Sequence, residues 1–314
     1  MKNSIILIFL SLIFFSEKII ANEEIKILYK IENSVVTSVD VENEMNYLVS
    51  LNKNLVNYDK KKLYNIASKS LIREKIKKIE IEKFYIMNYE KSSQSQIISN
   101  ILKNIYQNQG FNNEDEFSNY LIAKDVNIKD VKKKLVIEQH WNKLIYDKYN
   151  NSIKIDKKKI DLKLNKLVKE NSKLNSFKLS EIIFSEKNKT DYENKYKIIL
   201  DSIKEIGFKE SALIYSISNS SKIGGDIGWI NQNQVSEKIF DEIKNLKIGE
   251  FSKPIVTPGG AIILLLNDKK EISSMIDKNT ELEKIISNEQ NRQLNEYSII
   301  YFKQVENKIY VEEM

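Results

Sequence analysis

Gly224-Gly225-Asp226-Ile227-Gly228-Trp229 is the stretch on which the fold of this 314-residue chain turns. Three glycines so close together mark a tight turn, because only glycine adopts left-handed backbone without steric cost. A lone Gly-Gly-Asp says no more than that. The Gly-Lys-Ser/Thr ending of a phosphate-binding loop is missing, so no nucleotide is expected here. Upstream of the turn, residues 177–184 read as a strand, and 191–205 and 209–215 as helices. Downstream come a strand at 227–230, a helix at 237–245 and strands at 251–256 and 261–267. The order is βααβαββ, a small α+β unit bounded at residues 173–271.

Both flanks read differently. Residues 25–31 alternate as a strand, Glu32-Asn33-Ser34 turns, and Val35-Val36-Thr37 returns as a hairpin. Thr37 or Ser38 then caps a helix with Asp40 in its first turn and Val41, Met45 and Leu48 facing inward. A long helix is predicted over 59–89, its apolar residues Leu63, Ile66, Ala67, Leu71, Ile72, Ile76 and Ile79 stepping by threes and fours. Another covers 94–107 and stops at Gly110; Asn113 with Glu116 caps the next, whose face is Phe117, Tyr120 and Leu121. Asn127 with Asp130 opens a further helix bearing Val131, Leu135, Ile137, Trp141, Leu144 and Ile145. Residues 276–305 form a last helix with Leu282, Ile285, Ile286, Tyr297, Ile300 and Tyr301 apolar and no local partner for them. The fold class is therefore mainly α with an α+β domain. The remaining divisions are a leader at 1–21, a helical domain at 22–172 and a C-terminal helix and strand at 272–314.

Hydrophobic residues make up 41% and charged residues 30%, an ordinary globular balance, and with only two prolines in the chain the helices run long and uninterrupted. The net charge of +6 is interleaved along the chain, so nucleic acid is not an expected partner. Its densest runs, 60–62, 132–134 and 157–159, read as solvated lysine faces of helices. Cysteine is absent and His140 is the only histidine, which excludes disulfides, cysteine nucleophiles, imidazole pairs and multi-histidine metal sites. No cofactor or metal is expected, and His140, beside Trp141, reads as structural. At the N-terminus Lys2 precedes an apolar run over 5–15 that closes at Ala21. Eleven helical residues at roughly 1.5 Å each reach about half of a ~30 Å hydrocarbon core, the length of a cleavable signal peptide. Cleavage is expected near Ala21, with an uncleaved anchor as the alternative. An exported chain without cysteine suggests a periplasm.

The 224–229 turn, together with Phe240, Gly249-Glu250-Phe251-Ser252, Pro254-Ile255 and Thr257 through Gly260, resembles a parvulin-type (PpiC) peptidyl-prolyl isomerase domain. The hairpin, the Thr37-Ser38 helix start and the run from Gly110-Phe111 through Glu116-Phe117 and Leu121 to Trp141 and Leu144 resemble the SurA family of periplasmic chaperones. That likeness implies one parvulin-like domain inserted in a helical chaperone core, with the last helix returning onto the N-terminal helices and residues 308–311 adding a strand to the first hairpin. It also implies unfolded outer-membrane protein precursors and X-Pro peptides as partners. In a parvulin an apolar slot takes the proline ring and a cluster of two histidines and a Cys or Asp surrounds the rotating bond. By this likeness Ile227, Trp229, Val235 and Phe240 bind substrate, with Ile239 as the alternative to Phe240. Glu181 and Ile262 replace the two histidines and Ser218 the Cys or Asp. The expectation is a chaperone whose domain isomerises weakly or not at all; the rival is an active isomerase, periplasmic or membrane-anchored.

Overall fold

The computed structural model describes residues 25–314 apart from 170–172, 187 and 274–277. The leader expected over 1–21 lies outside the described residues. Strands β1 (Ile27–Ile31) and β2 (Ser34–Thr37) form the hairpin, with Glu32 in left-handed backbone at its turn. Helix α1 (Ser38–Leu51) starts where the Thr37 hydroxyl accepts the Asp40 N–H at 3.2 Å and the Asp40 carboxylate accepts the Thr37 N–H at 2.8 Å. Helices α2 (Lys60–Glu82), α3 (Tyr89–Ser93), α4 (Gln96–Asn108), α5 (Glu114–Ile122) and α6 (Ile128–Tyr149) follow, then α7 (Lys157–Lys169).

Two departures from the sequence reading have local causes. The helix expected over 59–89 ends at Glu82, where the Phe84 and Tyr85 N–H groups both turn back to the Ile81 carbonyl. The segment beyond it places Tyr85, Met87 and Tyr89 on the core, so tertiary packing outweighs a helical repeat that runs on in sequence. Lys134, expected on a solvated face, points inward instead, 2.6 Å from Glu44 and 2.8 Å from Glu74.

The inserted unit has the expected order. It runs β3 (Lys173–Phe184), α8 (Lys189–Ile206), α9 (Phe208–Tyr215), β4 (Asp226–Asn231), α10 (Glu237–Ile243), β5 (Ile255–Thr257) and β6 (Gly260–Ser273). The antiparallel sheet is ordered β4-β3-β6-β5, with Ile183 opposite Ile262 and Ile255 on the other side of Ile262. The strand expected from residue 251 pairs only from Ile255; Phe251 makes an isolated bridge to Leu265, and Pro254 has no N–H to extend the ladder.

Helix α11 (Lys278–Glu306) returns to the helical domain. Its Tyr301 and Phe302 rings pack on Trp141, 5.7 and 6.0 Å between centroids, and the Trp141 indole N–H donates to Ser298 at 2.9 Å. Strand β7 (Val311–Glu313) pairs antiparallel with β1, completing a sheet ordered β2-β1-β7. One apolar core thus joins α1, α2 and α6 to the end of α11, with Trp141, Phe117 and Leu48 nearly or fully buried in it. Leu213 of α9 also belongs to this core, so the inserted unit is docked on the helices rather than hung from them.

Candidate binding site

Gly225 sets the position of the first site residue. It sits at φ 77°, its carbonyl accepts the Glu181 N–H at 2.8 Å, and a Cβ there would lie 2.3 Å from the Glu181 carbonyl oxygen. No other residue allows that approach. The next segment is stitched to the same strand: the Ser216 hydroxyl accepts the Ile183 N–H at 3.0 Å, and the Ile217 N–H donates to the Ile183 carbonyl at 2.8 Å. Ser218 and Ser220 are thereby carried to Glu181, and their hydroxyls donate to Oε1 of its carboxylate at 2.5 and 2.8 Å. Burial pushes the Glu181 carboxyl above its ordinary value, and the two hydroxyls offset part of that rise.

Beside this polar group lies a cavity of about 470 Å³. Its apolar lining includes Ile183, Ile227, Ile239, Ile255 and Ile262, and Glu181, Ser218 and Ser220 line it too. Two of the sequence-identified positions, Glu181 and Ser218, are in direct hydrogen-bond contact. Ile262 stands across the strand pair from Ile183, an aliphatic wall where an imidazole was sought. Of the slot residues, Ile227 lines the cavity and so does Ile239, whereas Phe240 lies behind it with its ring 6.2 Å from that of Phe177. Val235 follows the 3-10 turn over Gln232–Gln234, and Trp229 is half-exposed with the Lys270 ammonium 4.1 Å from its ring centre; neither lines the cavity.

Sequence reasoning passed over Ser220, although the alternating serines 216, 218 and 220 offered a signal. It also passed over the outer wall, which no local pattern marks. That wall is α11: Ile299 Cδ1 comes within 3.5 Å of where a Gly259 Cβ would be, and Arg292, Glu296, Ser298 and Phe302 face the cavity. His140 plays no part, its Nδ1 lying 2.8 Å from the Val136 carbonyl and its ring edge-on to Tyr85.

Charged groups fasten the two parts together. Glu138 of α6 lies 2.7 Å from Lys77 of α2 and 2.8 Å from Lys222 of the inserted unit. Burial would raise the Glu138 carboxyl, but the two ammonium groups outweigh it and hold the carboxyl far below the ordinary range. Arg73 donates to the Ser221 hydroxyl at 2.9 Å, and Asn233 donates to Glu281 of α11. Among the described residues, no helix is long and apolar enough to cross a membrane.

Residues 167–268 match the PPIC-type PPIASE (rotamase) domain family. The chain is 34% identical over 95 residues to the chaperone SurA of Hydrogenovibrio crunogenus, covering 30% of this chain and 21% of that one. It is 35% identical over 69 residues to the chaperone SurA of Pseudomonas aeruginosa, covering 22% and 16%. The aligned segments thus span about a fifth of these relatives. A crystal structure of a PpiC-type peptidyl-prolyl cis-trans isomerase domain overlays with TM-score 0.30 at 27% identity, covering 32% of this chain and 96% of that one. Residues 167–268 thus carry a PPIC-type domain, and the chain is similar to SurA chaperones over part of its length, with helical regions on either side of the domain.

Proposed function

We propose that this protein is an exported, ATP-independent chaperone that holds unfolded outer-membrane protein precursors in the periplasm. Its parvulin domain binds X-Pro segments and isomerises them weakly or not at all. One observation carries this reading: the cavity has aliphatic walls suited to a proline ring, while its lining holds the Glu181, Ser218 and Ser220 cluster and no imidazole. Rotation about an X-Pro bond must overcome roughly 18–20 kcal/mol because the twisted amide loses resonance. A catalyst lowers that barrier with hydrogen bonds aimed at the twisted form, and Ile262 offers none. Binding needs only apolar area, at roughly 25 cal/mol per Å² removed from water. The relatives named SurA are chaperones by name, and a leader over residues 1–21 supplies the address.

The hydroxyl–carboxyl cluster in the lining of the slot favours a second reading, an active foldase in which Glu181 and the two serines polarise the amide. A paired assay on the full chain separates the two. Suppression of aggregation of an unfolded barrel precursor, without acceleration of a proline-limited refolding step, is the expected result. Rapid acceleration without suppression would establish the foldase instead.

A further inference from the structure

Five ionisable side chains line the cavity: Lys77, Glu181, Lys238, Arg292 and Glu296. Four of them are already engaged. Lys77 is 2.7 Å from Glu138, Arg292 is 2.6 Å from Glu289 and 2.7 Å from Glu296, and Lys238 donates to the Val256 carbonyl at 3.0 Å. Glu181 differs: its partners among the described residues are two neutral hydroxyls, both on Oε1. Among the described residues Glu181 is therefore the carboxyl of this lining without an ion-pair partner, while Lys238, held by a carbonyl, is a cation of the same lining without a carboxylate.

We propose that Glu181 makes this slot selective for segments that place a lysine or arginine beside the proline. The inference rests on the reading of the cavity as an X-Pro slot and adds the charge of its ligand. An ionised carboxylate taken out of water is costly unless a cation or several donors meet it. A neutral ligand leaves that cost standing, and an anionic one adds repulsion. An ammonium or guanidinium group removes it through a charge-assisted hydrogen bond, about twice as strong as a neutral one. The methylene stem of a lysine or arginine lies along Ile183, Ile227 and Ile262 while its head reaches Glu181, so apolar and charged ends of the ligand are both matched.

The test is calorimetric titration of the full chain at pH 7 with three blocked tetrapeptides, Ala-Lys-Pro-Phe, Ala-Leu-Pro-Phe and Ala-Glu-Pro-Phe. The expected order is lysine, then leucine, then glutamate, with at least about tenfold between the first and last, equivalent to about 1.4 kcal/mol. Glu181→Gln should collapse that spread, and Glu181→Asp, which keeps the charge, should preserve the order. Equal binding of all three by the unaltered chain would overturn the inference while leaving the slot reading intact, as would an order that survives Glu181→Gln. Failure of every peptide to bind would overturn the slot reading itself.

Discussion

Glu181 stands in a place where burial and hydrogen bonding oppose each other, and burial wins, so its carboxyl titrates above its ordinary 4.5. The folded chain then keeps this proton at pH values where the unfolded chain has lost it. Stability from this group is therefore highest below 4.5 and declines as pH rises through the raised value. Glu181→Gln has no proton to lose there. Urea midpoints measured from pH 4 upward should fall less steeply in that variant than in the unaltered chain, and parallel profiles would show that the carboxyl is not desolvated. The same residue bears on catalysis. Replacing both Glu181 and Ile262 with histidine restores donors on facing strands, and the double variant should accelerate a proline-limited refolding step beyond the unaltered chain. A double variant that folds and binds peptide yet stays as slow would show that the missing imidazoles are not the limiting defect.

Helix α11 does two things at once. Near its end it supplies Phe302, 4% exposed, and Tyr301 to the helical core, and Tyr297 stacks on Tyr149 with centroids 4.5 Å apart. Within the two turns before Phe302, Ile299 and Glu296 form the outer wall of the slot. Truncating Phe302 to Ala removes a buried ring from between α6 and α11, and large-to-small changes of that kind cost about 3–5 kcal/mol. Thermal unfolding of Phe302→Ala should show the helical transition lowered, and a transition within about a degree of the unaltered chain would mean that α11 is not part of that core. Deleting 278–314 should act in the same direction, since it also strips β7 from β1.

For the molecule as a whole, Glu138 is one of the links between the domain and the helices. With Lys77 on one side and Lys222 on the other, its one carboxylate is shared by two cations. Its lowered carboxyl contributes stability that is present above 4.5 and lost as pH falls below that value. Glu138→Gln leaves both lysines without their carboxylate, a loss of about 3–5 kcal/mol for a broken buried pair. Small-angle scattering at neutral pH should then show a larger radius of gyration as the domain undocks; an unchanged radius with unchanged stability would assign docking to the apolar contacts of Leu213 instead. The division of labour is tested at the same scale. A chain in which a flexible linker replaces residues 173–271 should still suppress precursor aggregation, and complete loss of suppression would move the holding surface to the parvulin domain.

The sequence alone determined the βααβαββ order, the hairpin, the helix starts at Thr37, Asn113 and Asn127, and the absence of any histidine but His140. Those are local matters: a cap needs one side chain near one N–H, a turn needs glycines at fixed positions, and a missing residue type is missing wherever the chain goes. The end of α2 at Glu82, the inward turn of Lys134, Ile239 rather than Phe240 on the cavity wall, and α11 as that cavity's second side were decided only by the tertiary structure. Each depends on groups tens to hundreds of residues apart competing for the same buried volume or the same charge. Neither periodicity nor spacing in one segment records what another segment brings to meet it.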